Sequence, residues 1–145
     1  ICPPEKPLAA PDLKTVLEQA NCGFLYDRFK GPETMLKEGG RPLSAGEKQL
    51  VCIARAFACD PDLIIFDEAT SYMDSESEQA VHEAMNRLMT GRMSIIIAHR
   101  LSTIRQCGHI LLLRDGRIRE QGNHLELVRA KGEYRLLLEK ETLTP

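Results

Sequence analysis

Leu43-Ser44-Ala45-Gly46-Glu47, followed by Leu63-Ile64-Ile65-Phe66-Asp67-Glu68 and then by Ala98-His99-Arg100, is the part of the chain that decides its fold. Ser44 and Glu47 have the S-x-x-E spacing of a capping box, which opens a helix. Leu50, Ile53, Ala54 and Phe57 follow at helical spacing, and Cys52, Ala56 and Cys59 add a second apolar stripe. The two stripes predict a helix buried over much of its circumference and ended by Asp60-Pro61. Residues 63–66 are a short apolar run closing in two acids, which suits a buried strand of a parallel sheet. Ile95-Ile96-Ile97 is a second such run, with His99 just beyond it. Each segment therefore puts polar, chemically competent groups at the end of a regular element.

The rest of the chain extends this pattern. Residues 1–11 contain four prolines and read as an irregular lead-in. Asp12 is placed to cap a helix whose positions Leu13, Val16, Leu17 and Ala20 share one face. Residues 24–42 are broken by glycine and proline and read as loop-rich. Ser75 and Glu78 repeat the capping-box spacing before a helix with Val81, Ala84, Met85, Leu88 and Met89 turned inward; Gly91 lies just past its end. A short helix is expected near 102–106. Asp115-Gly116 between two strand-like runs predicts a hairpin. Asn123 with Glu126 opens another helix, and Gly132 separates it from a last amphipathic helix carrying Tyr134, Leu137 and Leu138. Strands alternating with helices predict an α/β layer architecture.

Composition excludes several classes. Forty-three per cent hydrophobic and 28% charged residues are ordinary for a globular chain of 145 residues. A net charge of -2 carries no polyanion-binding signal, so no nucleic-acid partner is expected. The five cysteines form no C-x-x-C pair, and their odd number without metal spacing predicts reduced thiols. No apolar run approaches the roughly 20 residues that span a bilayer, and no signal peptide is expected at Ile1.

Three places carry chemistry. Asp67 and Glu68 would sit at the C-terminal edge of a parallel sheet, where α/β folds bind ligands. One of two adjacent acids can support Mg²⁺ while the other orients or deprotonates water; alternatively the pair solvates a turn. Ser44, Ala45 and Gly46 open a helix, where free N–H groups and the dipole suit a phosphate oxygen; alternatively Ser44 and Glu47 only cap the helix. His99 can donate to a terminal phosphate or serve structure, and Asp74 has the option of being a plain N-cap.

Taken together, these segments resemble the ATP-binding domain of ATP-binding-cassette (ABC) transporters. Residues 43–47 are similar to the signature motif, LSGGQ in its usual form. Residues 64–68 resemble the Walker B motif, Ser71-Tyr72-Met73-Asp74 the D-loop, and His99 the switch histidine. Ala98-His99-Arg100-Leu101-Ser102-Thr103-Ile104 resembles exporters in particular, and so do residues 115–127. The resemblance implies the C-terminal part of a P-loop NTPase (RecA-like) α/β domain. Residues 12–60 would be the helical subdomain with the signature helix, and 61–145 the end of the catalytic subdomain. No G-x-x-x-x-G-K-[ST] loop occurs in the 145 residues, so the Walker A half is absent from them.

The resemblance also implies roles, with ATP and Mg²⁺ as cofactors. Asp67 would support the metal, Glu68 would be the general base, and His99 would contact the γ-phosphate. Ser44, Gly46 and Glu47 would face the nucleotide of an opposing domain, and Asp74 would couple the two sites. The implied partners are a second nucleotide-binding domain and transmembrane domains, at the cytoplasmic face of a membrane. The chain alone is expected to be inactive and to expose apolar sheet surface. Three departures stand out: Ala45 for glycine, Glu47 for glutamine, and the bulky Tyr72-Met73. They raise a heterodimer with unequal sites. Two other readings remain: a soluble ABC ATPase of chromosome maintenance or DNA repair, whose signatures often contain Gly-Glu-Lys as at 46–48, and a non-catalytic regulatory partner domain.

Overall fold

A computed structural model describes residues 10–67, 73–98 and 101–142. The chain divides into two compact units, one ending at Ile96 and the other beginning at Ile97. The lead-in at 1–9 lies outside the described residues.

The first unit is helical around a pair of strands. Helix α1 (Ala10–Gln19) begins two residues before the cap expected at Asp12, with Pro11 in its first turn, where a missing N–H costs nothing. After it come a single-turn helix α2 (Phe24–Asp27) and two 3-10 turns, Gly31–Glu33 and Glu38–Gly40, so the segment expected as loop is locally wound. Helix α3 (Ala45–Cys59) packs against α1 and against α4 (Ser75–Met89). Leu50, Ile53 and Ala54 of α3 meet Val16 and Leu17 of α1 and Val81, Ala84, Met85 and Leu88 of α4 in one core. The second apolar stripe on α3 does not complete the burial: Cys52 is exposed, and Ala56 and Cys59 are half-buried. Helix α3 is therefore amphipathic, with a core on two sides only. Its end is as expected: Asp60, at φ 44°, takes the left-handed C-cap position.

Strands β1 (Leu63–Asp67) and β2 (Met93–Ile97) are hydrogen-bonded neighbours. The Met93 N–H donates to the Asp62 carbonyl at 3.2 Å, which sets the two beginnings side by side. The strands thus run in the same direction with α4 as the crossover. The strands are not buried on both faces, and the open apolar sheet surface expected of these residues alone is present. Ile64 is buried at 7% exposure, but Leu63, Ile65, Ile95 and Ile97 are 46%, 61%, 49% and 49% exposed. One face of the pair lies on the helices and the other is open, so alternate apolar side chains meet solvent.

The second unit is built on a hairpin. Strands β3 (Ile110–Arg114) and β4 (Arg117–Gly122) pair antiparallel, with an irregularity between Leu112 and Leu113. Asp115 and Gly116 both have positive φ, 52° and 70°, as a tight two-residue hairpin turn needs. Before the hairpin lies a short helix α5 (Leu101–Ile104), and after it α6 (His124–Ala130) and α7 (Glu133–Thr142). Leu101, Ile110, Leu127, Tyr134 and Leu138 form the core. The buried Tyr134 hydroxyl is satisfied by His124 Nδ1 at 2.8 Å. The Glu120 carboxylate accepts the N–H groups of Glu133 and Tyr134 and so caps α7 from β4.

Among the described residues, Cys22, Cys52 and Cys107 are free thiols. Among the described residues, no helix is long and apolar enough to cross a membrane.

Candidate functional site

Ser44 is the N-cap of α3, at φ -67° and ψ 171°. Its Oγ accepts the Glu47 N–H at 3.2 Å, and Glu47 Oε2 accepts the Ser44 N–H at 2.8 Å. The capping box read from the sequence is complete on both sides. Capping and ligand contact are not exclusive, because a hydroxyl oxygen has two lone pairs and a hydrogen to give. The carboxylate of Glu47 is held again from outside the helix. Arg28 Nη1 lies 2.8 Å from Oε1 and Nη2 3.3 Å from Oε2, a two-pronged ion pair. The Arg28 guanidinium also lies 5.1 Å from the centre of the Phe29 ring.

Gly46 is buried in the first turn of α3. A Cβ there would lie 2.7 Å from Ser77 Cβ, 3.1 Å from Ser77 Oγ and 3.5 Å from Met73 Sδ. Gly46 is thus the place where the first turns of α3 and α4 touch. Nothing in the spacing of residues 46 and 77 announces this, although a glycine inside a helix is a standing signal of close approach. A side chain at Gly46 meets its own chain first.

Asp74, not Ser75, caps α4. Its Oδ1 accepts the Ser77 N–H at 2.9 Å and its Oδ2 the Ser77 hydroxyl at 2.8 Å. The capping box expected from Ser75 and Glu78 does not form, and the plain N-cap at Asp74 that the sequence also allowed is found instead, because aspartate presents an ionised acceptor to the free amides of the first turn. The Ser77 amide, and then its hydroxyl, hold the Asp74 carboxyl below the usual carboxylate range.

Asp67 is the last residue of β1, exposed at the edge where β1 and β2 both end. Glu68 directly follows it, and His99 stands two residues beyond Ile97; both lie outside the described residues, as do Ser71 and Tyr72 of the D-loop segment. Among the described residues, no three His, Cys, Asp or Glu side chains gather to hold a metal. A lone strand-end carboxylate does fit Mg²⁺, which is commonly held by one or two carboxylates together with substrate phosphates.

The site thus unites two helix N-termini, those of α3 and α4, joined at Gly46 and Ser77. The strand-edge aspartate belongs to the same unit. The residue missed in the sequence is Arg28: it is nineteen positions from Glu47 on a different element, and no motif marks it.

Comparison with known proteins bears on these motifs. The family model described as ABC transporter matches residues 13–71. The uncharacterized ABC transporter ATP-binding protein YfiC of Bacillus subtilis (strain 168) is 44% identical over 131 residues, covering 90% of this chain and 22% of that protein. An ATP-dependent lipid A-core flippase of Desulfotalea psychrophila is 46% identical over 114 residues, covering 79% of this chain and 20% of the flippase. Among solved structures, a bacterial Atm1-family ABC exporter with ATP bound matches with a TM-score of 0.79 at 37% identity, over 92% of this chain and 23% of that one. The chain spans about a fifth of the length of these relatives. The chain belongs to the ABC transporter family, its 145 residues carrying part of an exporter-type ATP-binding domain with the α/β P-loop NTPase fold.

Proposed function

We infer that this chain supplies the signature segment, the magnesium-supporting aspartate and the hydrolytic base of an exporter's ATPase, and that it works in a head-to-tail pair of such domains. The observation that carries the reading is the contact of two helix N-termini at Gly46 and Ser77. It brings the signature turn and the Asp74 cap together on one face, where amide groups and helix dipoles favour an anion. Ser44, Gly46 and Glu47 serve the nucleotide of the opposing domain, and Asp74 links the two sites. Residues 12–60 act as the helical subdomain and 61–145 as the end of the catalytic one.

Within the completed site, Asp67 holds Mg²⁺, which supplies charge neutralisation at the phosphates. Glu68 accepts the proton of the attacking water, and His99 donates to the terminal phosphate. A phosphate loop completes the site from outside these 145 residues. The chain alone is accordingly inactive. In the full protein it stands at the cytoplasmic face of a membrane beside transmembrane domains, and its ATPase drives export.

The test uses the full-length protein. Glu68→Gln keeps the size of the side chain but cannot take a proton, so turnover falls about 10²–10⁴-fold while ATP binding persists. Asp67→Asn raises the Mg²⁺ concentration needed for half-maximal turnover. Unchanged turnover in Glu68→Gln refutes the role of the base. For the isolated chain, calorimetry is expected to show no ATP binding at micromolar concentration.

A further inference from the structure

We propose that Arg28 is a positioning residue for the signature turn: its two-pronged ion pair with Glu47 holds the Ser44 cap and cancels the carboxylate's charge where a phosphate must approach. The inference rests on the reading above, in which this turn faces the terminal phosphate of the opposing domain's nucleotide.

The problem Arg28 solves is set by the sequence. Glu47 puts an anion in the first turn of α3, at the end of a helix that would otherwise attract anions. The structure shows where that charge goes. Oε2 accepts the Ser44 amide at 2.8 Å and faces Arg28 Nη2 at 3.3 Å, while Oε1 faces Arg28 Nη1 at 2.8 Å. The Glu47 side chain is only 12% exposed. Arg28 is 55% exposed and reaches over from the end of α2, where its own N–H donates to the Phe24 carbonyl. Exposed ion pairs in general contribute little. This one differs in that its acid partner is mostly buried, the contact is doubled, and the same carboxylate fixes a backbone amide of the proposed phosphate-facing turn. Arginine suits the task because its planar fork matches both carboxylate oxygens and stays charged at every working pH.

Without Arg28, Glu47 keeps its bond to the Ser44 amide but carries a bare negative charge into the turn. Without the charge on Glu47, Arg28 has nothing to cancel. The two residues should therefore be strongly coupled in function.

The experiment is a double-mutant cycle on the ATPase turnover of the full-length protein, with Arg28→Ala measured in the Glu47 background and in the Glu47→Gln background. Glutamine retains an acceptor for the Ser44 amide without the charge. Arg28→Ala is expected to lower turnover about tenfold beside Glu47, and by no more than about twofold in the Glu47→Gln background. Arg28→Lys should fall between wild type and Arg28→Ala, because it keeps the charge but loses the fork. Raising ionic strength should restore part of the Arg28→Ala loss by screening the exposed charge.

Equal losses in the two backgrounds would overturn the proposal, since Arg28 would then act independently of the charge on residue 47. Ser44→Ala separates this failure from failure of the underlying reading. If Ser44→Ala lowers turnover while Arg28→Ala does not, the turn faces phosphate but Arg28 does not position it. If neither changes turnover, while amide exchange at 44–47 accelerates in both, the turn does not face phosphate and the reading and the proposal fall together.

Discussion

Gly46→Ala tests the contact on which the site is built. The added Cβ would stand 2.7 Å from Ser77 Cβ, whereas ordinary contacts begin at 3.4 Å, so the first turns of α3 and α4 must separate by about 0.7 Å. Ser77 Cβ is bonded directly to the α4 backbone and cannot rotate away. Overpacking of this kind costs about 1–3 kcal/mol. Against it stands the preference of a helix for alanine over glycine, about 0.5–1 kcal/mol. The net expectation is a loss of about 0–2.5 kcal/mol in the protection of both helices. In a Ser77→Gly background the obstacle is gone and only the helix preference remains, so the same substitution should stabilise by about 0.5–1 kcal/mol. The sign therefore reverses between backgrounds. Amide hydrogen exchange of α3 and α4 in the full-length protein reads this locally, without assuming that a large protein unfolds in one step. If Gly46→Ala stabilises both helices equally with Ser77 present and absent, the first turns do not touch and the proposed common face does not exist.

Other expectations follow from burial and charge. Leu88 of α4 is fully buried in the core of the first unit, so Leu88→Ala should cost about 2–5 kcal/mol there, while Leu125→Ala, at 63% exposure, should stay within about 0.5 kcal/mol; exchange protection compares them. Asp74→Ala should speed amide exchange in the first turn of α4. Because the folded Asp74 carboxyl titrates below its usual range, its contribution is present above that range and is lost as pH falls through the folded value; the wild-type and Asp74→Ala protection should converge at acid pH. Burial pushes the Cys22 thiol up to about 11 from 9.0, which favours the neutral form in the folded chain. The unfolded chain loses its proton first, so stability should fall by about 2 kcal/mol as pH rises from 9 to 11, and Cys22→Ala should flatten that slope in denaturant titrations.

The readings that came directly from the sequence are those governed by neighbours three or four residues apart. The Ser44–Glu47 and Asn123–Glu126 boxes, the stop at Asp60-Pro61, the hairpin turn at Asp115-Gly116 and the inward face of α4 all follow from local hydrogen-bonding chemistry and helical period. The order of the motifs was likewise legible, and it was enough to identify the family.

Where two acceptors compete within one turn, spacing alone was a weaker guide: Asp74 displaced Ser75 as the cap of α4, because the ionised oxygen binds free amides better than a hydroxyl does. The open sheet surface was legible, since an apolar strand records that its faces are to be covered, and one face of each of β1 and β2 is exposed as expected; which elements cover the other face was not. The two features that shape the proposed site belong to the tertiary structure. Arg28 meets Glu47 and Gly46 meets Ser77 only because α2, α3 and α4 converge around a shared core. Pairings across nineteen and thirty-one residues leave no period in the sequence, since they depend on how elements dock and not on how each one winds.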